Sequence, residues 1–288
     1  MKQPLVTIIC ICYNHEPFVE EALKSVWELD YPNIELIVAD DDSTDGSREL
    51  IRTLTREKKV TLVFNDANLG HCKTFNKALK AANGDFVIDL SADDVLVNGG
   101  VCEGVECLLG RGESYGVFFA DAVLINDNGN EIGVHKTASF FNSKRVPEGD
   151  IYTTVLGKYF FSPPTLIFRR SIVDKLGGYD EQLTYEDFDF WVRSSRITKY
   201  CYSSLQTVKK RIHGESVSSK QYIKNSKMLE STLAVCRKAF QLNRSKGEDN
   251  ALLRRLIYEG KMALASTNYK IGIKMMVLFV RVLFKIRT

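Results

Sequence analysis

The sequence predicts an α/β fold, a mixed and mainly parallel sheet flanked by helices, with a helical extension at the C-terminal end. Short β-branched runs alternate with helical periodicity through the first 95 residues, which is the signature of βαβ units. From Tyr115 the pattern changes to a long strand followed by a hairpin signal, and the last third is helical. At 288 residues and 44% apolar, the chain has ample material for a large core.

The first strands are expected at about 5 to 12, 34 to 40, 60 to 65 and 85 to 91. Between them, Val19, Ala22, Leu23 and Val26 make one apolar helix stripe, and Phe75, Ala78, Leu79 and Ala82 make another. Pro17 suits a first helical turn, and Gly84 follows a helix end. Right-handed crossovers then bring the strand ends to one edge of the sheet, where ligands of open α/β sheets bind. Tyr115 to Ile125 reads as the long strand, Asn128-Gly129 as its turn, and residues 165 to 168 as a short strand after Pro163-Pro164. Tyr185 to Arg196 reads as a helix and Val208 to His213 as a last strand. The expected division is a catalytic domain over 1–217 and a helical extension over 218–288.

The formal net charge is +3, but residues 251–288 hold eight Lys/Arg against one Glu, which leaves the rest of the chain net acidic. An acidic body argues against a nucleic-acid binder. Met1-Lys2-Gln3-Pro4 precedes only a short apolar strand, so no signal peptide is expected, and the seven cysteines read as free thiols of a reducing, cytoplasmic compartment.

Two acidic turns stand out. The second strand ends in Asp40-Asp41-Asp42-Ser43-Thr44-Asp45-Gly46, and the fourth in Ser91-Ala92-Asp93-Asp94. If both strands are central, these carboxylates face one crevice and repel, and a divalent cation on a substrate diphosphate gives a reason for the arrangement. The alternative is that Asp and Ser serve only as turn and cap formers there.

Taken in order, Val6-Thr7-Ile8-Ile9 with Tyr13-Asn14, the Asp40 to Gly46 turn, Asn68-Leu69-Gly70, Asn76, Gly84-Asp85-Phe86 and Ser91 to Asp94 resemble a family-2 glycosyltransferase of the GT-A fold. Gly177-Gly178-Tyr179-Asp180-Glu181, Glu186-Asp187, Trp191 and Arg193 continue the resemblance, which spans about residues 4 to 215. It implies a nucleotide-sugar donor, with nucleotide contacts from Tyr13, Asp40 and Asp41, and a basic residue, Lys73, near the nucleotide. A rim-packing role is the alternative for Tyr13, and a solvated lysine at a helix start for Lys73. It also implies that Asp93 and Asp94 contact ribose and a Mg²⁺ or Mn²⁺ ion. The family's usual Asp-Ala-Asp-Asp is altered here, because Ser91 takes the first position.

Asp187 matches the acid that acts as general base in inverting relatives; a helix cap within Thr184-Tyr185-Glu186-Asp187 is the alternative. His213, in Arg211-Ile212-His213-Gly214-Glu215-Ser216-Val217-Ser218, matches the position of a metal or diphosphate ligand in non-processive relatives; a turn residue before Gly214 is the alternative.

Near the C-terminal end, Lys270, Lys274, Arg281 and Lys285 fall in a helical stripe about 60° wide, and only six uninterrupted apolar residues run from Met275 to Val280. The expectation is a helix that lies in a membrane interface at the inner face of the cell membrane, or one that packs on protein, including a second subunit. The function expected is transfer of one sugar from a UDP-sugar to a glycan or lipid-linked glycan acceptor in cell-surface polysaccharide synthesis. Competing readings are a sugar-phosphate nucleotidyltransferase, for which the Gly-rich phosphate loop is missing, and an inactive nucleotide-binding scaffold.

Overall fold

The computed structural model describes residues 3–213 and 221–287. Among these residues one sheet contains nine strands: β1 (Val6–Cys12), β2 (Ile34–Asp40), β3 (Thr61–Phe64), β4 (Phe86–Ser91), β5 (Val95–Leu96), β6 (Tyr115–Ile125), β7 (Glu131–His135), β8 (Ile167–Arg169) and β9 (Lys199–Arg211). The order across it is β3-β2-β1-β4-β8-β6-β9-β5, with β7 paired to β6. β3, β2, β1 and β4 are mutually parallel, as are β6 and β9, while β8, β7 and β5 join antiparallel. The sheet is mixed, and parallel through β3, β2, β1 and β4, as the βαβ spacing requires.

The helices are α1 (Val19–Trp27), α2 (Ser47–Thr55), α3 (His71–Leu79), α4 (Gly100–Arg111), α5 (Tyr152–Gly157), α6 (Arg170–Leu176), α7 (Asp187–Ser195), α8 (Lys227–Leu242), α9 (Lys246–Ala265) and α10 (Tyr269–Arg287). Every residue of β1 is buried, because helices cover both faces of this central strand. Val19, Leu23 and Val26 of α1 pack into the same core as Val6, Ile8 and Cys10, each such side chain contributing about 1.5–3 kcal/mol on burial. Cys10 and Cys12 are buried free thiols, and Cys102 and Cys107 sit on α4.

β9 begins at Lys199, well before the expected Val208. Its first half escaped the pattern because the chain bulges: Ala120 of β6 pairs with Ser203, but the next residue, Asp121, pairs with Gln206. Ser204 and Leu205 are skipped, which breaks the alternation that reveals strands.

The chain folds as two compact units. The first gathers residues up to Gly149, Phe161–Tyr179 and Thr198–His213, and contains the whole sheet. The second gathers Asp150–Phe160, Asp180–Ile197 and the C-terminal helices. In it, Arg255 is buried with its guanidinium 3.8 Å from the Tyr159 ring centroid, and its charge is paired with Glu259 at 3.1 Å.

Candidate functional site

The register of the sheet builds the site in the first unit. Cys12 at the end of β1 lies opposite Asp40 at the end of β2, and Ile11 lies opposite Ser91 at the end of β4. The turns after the three strands therefore leave the sheet side by side. Hydrogen bonds stitch the first two together: Asn14 N–H donates to Ser43 Oγ at 3.0 Å, His15 N–H to Ser47 Oγ at 3.0 Å, and Glu16 N–H to Asp45 Oδ2 at 3.0 Å. Asn14 in turn accepts Thr44 N–H at 2.8 Å. Asn14 and Asp42 both take left-handed backbone angles, φ 57° and 63°, which short amide and carboxylate side chains tolerate. Much of the Ser43 to Ser47 turn is thus spent holding His15 in place.

The three adjacent aspartates have separate environments. Asp40 is fully buried; its Oδ1 accepts Arg48 Nε at 2.8 Å and Ser43 N–H at 3.2 Å, while Oδ2 has no hydrogen-bond partner. Both oxygens of Asp41 are engaged: Oδ1 takes Asn65 Nδ2, Leu69 N–H and Thr74 Oγ1 at 2.8 to 2.9 Å, and Oδ2 takes Gly70 N–H at 2.9 Å. It holds the Asn68-Leu69-Gly70 turn at the start of α3. Asp42 lies 3.7 Å from Arg48. Tyr13 is 43% exposed beside these turns, and Lys73 is exposed on the first turn of α3.

The second acidic turn meets the end of β9. His213 Nε2 lies 3.0 Å from Asp93 Oδ2, and His15 Nδ1 lies 4.0 Å from Asp93 Oδ1. His15, Asp93 and His213 can each offer a ligand atom, all within 4.8 Å of one another. His15 Nδ1 and Asp93 Oδ1 are buried and have no hydrogen-bond partner. Buried polar atoms are rarely left so, and two unpartnered donor atoms facing one another are what a divalent cation would satisfy. The residues therefore fit a metal.

Electrostatics prepare the same three groups. Burial lowers the pKa of His15 against the opposing pull of Asp93, which leaves its imidazole neutral with a lone pair to offer. Burial alone would raise Asp93, but the electrostatic pull of its neighbour His15, with Ser91 and His213 beside it, outweighs that and holds the carboxyl below its ordinary value. Asp94 behaves differently. It is buried, its Oδ1 accepts Arg211 N–H at 2.8 Å, and burial together with Asp93 pushes its pKa up to about 8. Its described side-chain hydrogen bond is with the backbone of β9.

Arg211 organises this corner. Its buried guanidinium donates to the carbonyl oxygens of Asp93 at 3.0 Å, Asn126 at 2.7 Å and Asp127 at 3.1 Å, and pairs with Glu21. The Phe18 ring centroid lies 4.6 Å away. One side chain thereby ties the turn after β4 to the turn after β6 and presents His213 to Asp93. The rest of that motif, Gly214 to Ser218, lies outside the described residues.

Beside the cluster, Asp89 Oδ2 receives His71 Nε2 at 2.7 Å and Tyr179 Oη at 2.9 Å. Tyr179 is fixed by Asn76, which bonds both its N–H and its carbonyl, and by a Phe75 ring 4.2 Å away. Gly178, at φ 77°, must be glycine, since a Cβ there would lie 2.3 Å from Asn76 Oδ1.

In the second unit, Asp187 is the first residue of α7, with Glu186 at the N-cap and no side-chain cap bond. Asp189, two residues on, is buried between Arg193 at 2.6 Å and Lys238 at 2.5 Å, and Trp191 is buried against Tyr159.

Sequence reasoning singled out Asp93 and His213, which the fold brings together, and missed His15. A single histidine in a turn carries no pattern; only the pairing of β1 with β4 shows that it faces Asp93.

The family model described as glycosyl transferase family 2 matches residues 7–177. An uncharacterized glycosyltransferase of Haemophilus influenzae is 31% identical over 226 residues, covering 77% of this chain and 85% of its own length. Among solved structures, Staphylococcus aureus TarS in complex with UDP-GlcNAc superposes with a TM-score of 0.70 at 19% identity, covering 98% of this chain and 80% of that one. The mannosyltransferase PcManGT of Pyrobaculum calidifontis, in complex with GDP-Man and Mn²⁺, superposes with a TM-score of 0.66 at 18% identity, covering 99% and 88%. At such identities the two structures speak for the fold.

Proposed function

The chain belongs to glycosyl transferase family 2 and is a glycosyltransferase that uses a nucleotide-sugar donor; from that premise we propose a metal-dependent, inverting transfer of a single sugar to a glycan or lipid-linked glycan at the cytoplasmic face of a membrane. The observation that carries the metal dependence is the His15, Asp93 and His213 cluster with its two unpartnered ligand atoms. In this reading those three residues hold the cation, and Asp94 supports the turn from behind. Two imidazoles and one carboxylate suit Mn²⁺ better than Mg²⁺, which prefers an all-oxygen shell. When bound, the cation offsets the charge that builds on the departing diphosphate.

Asp40 Oδ2, buried and without a partner, is positioned in this reading to accept a ring N–H of the base, and Tyr13 offers an aromatic face to stack on it. A uracil base fits that single acceptor, so a UDP-sugar is the donor proposed. Asp41, with both oxygens already engaged, contributes chiefly by shaping the 68–70 turn. Lys73 supplies a solvated positive charge near the phosphates.

Asp187 is proposed as the base. It takes the proton of the acceptor hydroxyl as that oxygen bonds to the anomeric carbon, while the carbon–oxygen bond to the diphosphate breaks on the opposite side, so the configuration inverts.

The test has two arms. Nucleotide sugars are titrated against the protein with and without Mn²⁺, and turnover is then measured by nucleotide release. Asp187→Asn should lower kcat by about 10²- to 10⁴-fold with donor binding retained. Normal turnover in that variant removes Asp187 as the base. If no nucleotide sugar binds with or without Mn²⁺, the transferase reading itself fails.

A further inference from the structure

The last helix, α10, has three sectors. Ile271, Met275, Leu278 and Val282 are buried, and α10 lies against α8 and α9. Tyr269, Ile273, Met276, Val277, Val280 and Phe284 are exposed, Ile273 to 63% and Phe284 to 62%. At about 100° per residue those six fall in one continuous stripe roughly 100° wide. Directly beside its edge comes a second stripe about 60° wide that holds Lys270, Arg281, Lys274 and Lys285 in that angular order. Soluble surfaces seldom expose a contiguous run of large apolar side chains without a purpose.

Two further details widen this face. Leu264 of α9 is exposed, and its Cδ2 lies 3.1 Å from where a Cβ of residue 272 would stand. Gly272 thus lets the leucine lie close against the flank of α10 and extends the apolar surface onto the neighbouring helix. Lys285 is engaged by Asp249 at 3.3 Å, and Arg281 lies over the Phe240 ring at 5.4 Å, whereas Lys270 and Lys274 are exposed to solvent.

We propose that α10 is a docking surface for an anionic lipid bilayer, lying flat in the headgroup layer with its six exposed apolar residues in the acyl boundary and its lysines at the phosphates. The charge decides the occupant. α10 contains five Lys/Arg and no Asp or Glu. A second copy laid stripe to stripe would set two acid-free helices against each other, which like charges oppose, whereas an anionic surface is complementary. Among the described residues no helix is long and apolar enough to cross a membrane. Nineteen helical residues laid flat reach about 28 Å along the surface.

The experiment is co-sedimentation of the full chain with vesicles of phosphatidylcholine alone and of phosphatidylcholine with about 30% phosphatidylglycerol. Wild type should partition onto the anionic vesicles, and less so as salt is raised. Each basic residue near such a surface contributes roughly fivefold, so Lys270→Gln with Lys274→Gln should weaken partition about 25-fold. Ile273→Ser with Phe284→Ser should abolish it while circular dichroism and melting show the fold retained. Arg56→Gln with Lys59→Gln, exposed basic residues of the first unit, should leave partition unchanged. The proposal is overturned if wild type stays in the supernatant, if the α10 variants sediment like wild type, or if light scattering finds a dimer that Ile273→Ser with Phe284→Ser converts to monomer.

Discussion

His15 carries the sharpest expectation for a single side chain. Its neutral ring stands 4.0 Å from Asp93 Oδ1, and both facing atoms are without partners. His15→Asn should weaken Mn²⁺ binding about 10- to 100-fold, at least as much as losing an outer-shell partner does, read by calorimetry or by the spin resonance of free Mn²⁺. Unchanged Mn²⁺ affinity would remove His15 from the site. The acids around it were partly legible. Asp93 was recognisable from the turn it occupies, but Asp40, Asp41 and Asp42 look alike in sequence. What separates them is long-range: Arg48 for Asp40, and the 69–70 amides for Asp41. Ser91 was readable only as a missing acid; in the fold it stands beside Asp93 and helps hold that carboxyl below its ordinary value.

At the scale of elements, register matters more than composition. Glu35 at the start of β2 shows this, since it clamps β1 and the approach to β4 at once. Its Oε2 accepts Thr7 Oγ1 at 2.5 Å and Asn83 N–H at 2.7 Å, and its Oε1 accepts Asn83 Nδ2 at 2.7 Å. Burial would raise this carboxyl, but the Asn83 and Thr7 hydrogen bonds outweigh it and hold the pKa below its ordinary value. A depressed carboxyl contributes stability that is fully present above the unfolded value, about 4.3, and is lost as pH falls through the folded one. Glu35→Gln should therefore melt lower than wild type at pH 6 to 7, and the gap should close as the pH falls below about 4.3. A gap that stays constant to pH 3 would show that the clamp does not depend on the charge. β1, β2 and β4 were legible because each is an apolar run buried on both faces, and β3, the partly exposed edge strand, because its short Thr-Leu-Val-Phe run favours extended backbone. The front of β9 was not, because its two-residue bulge erases the alternation on which such reading depends.

For the whole molecule, the fold class was legible because it rests on the order of many short features. The division into two units draws segments 150–160 and 180–197 away from their sequence neighbours, and no local signal in the chain announces that. Global stability offers a direct check on the site. A ligand at 100 times its dissociation constant stabilises the native state by about 2.7 kcal/mol. With Mn²⁺ and the correct donor present together, the melting temperature should therefore rise by several degrees, given about 2–4 °C per kcal/mol for a chain of this size. The rise should exceed the sum of the shifts from either ligand alone; a simply additive result would show that the two sites are independent. The reason lies in the replacement of an acid by Ser91. Of His15, Asp93 and His213 only Asp93 is an acid, so the cluster itself offers the cation essentially one negative charge. The rest of the neutralising charge must come from the diphosphate of the donor. Metal and donor would then each raise the other's affinity by the same factor, and the enzyme would be loaded by a metal–nucleotide pair, with little metal held between turnovers.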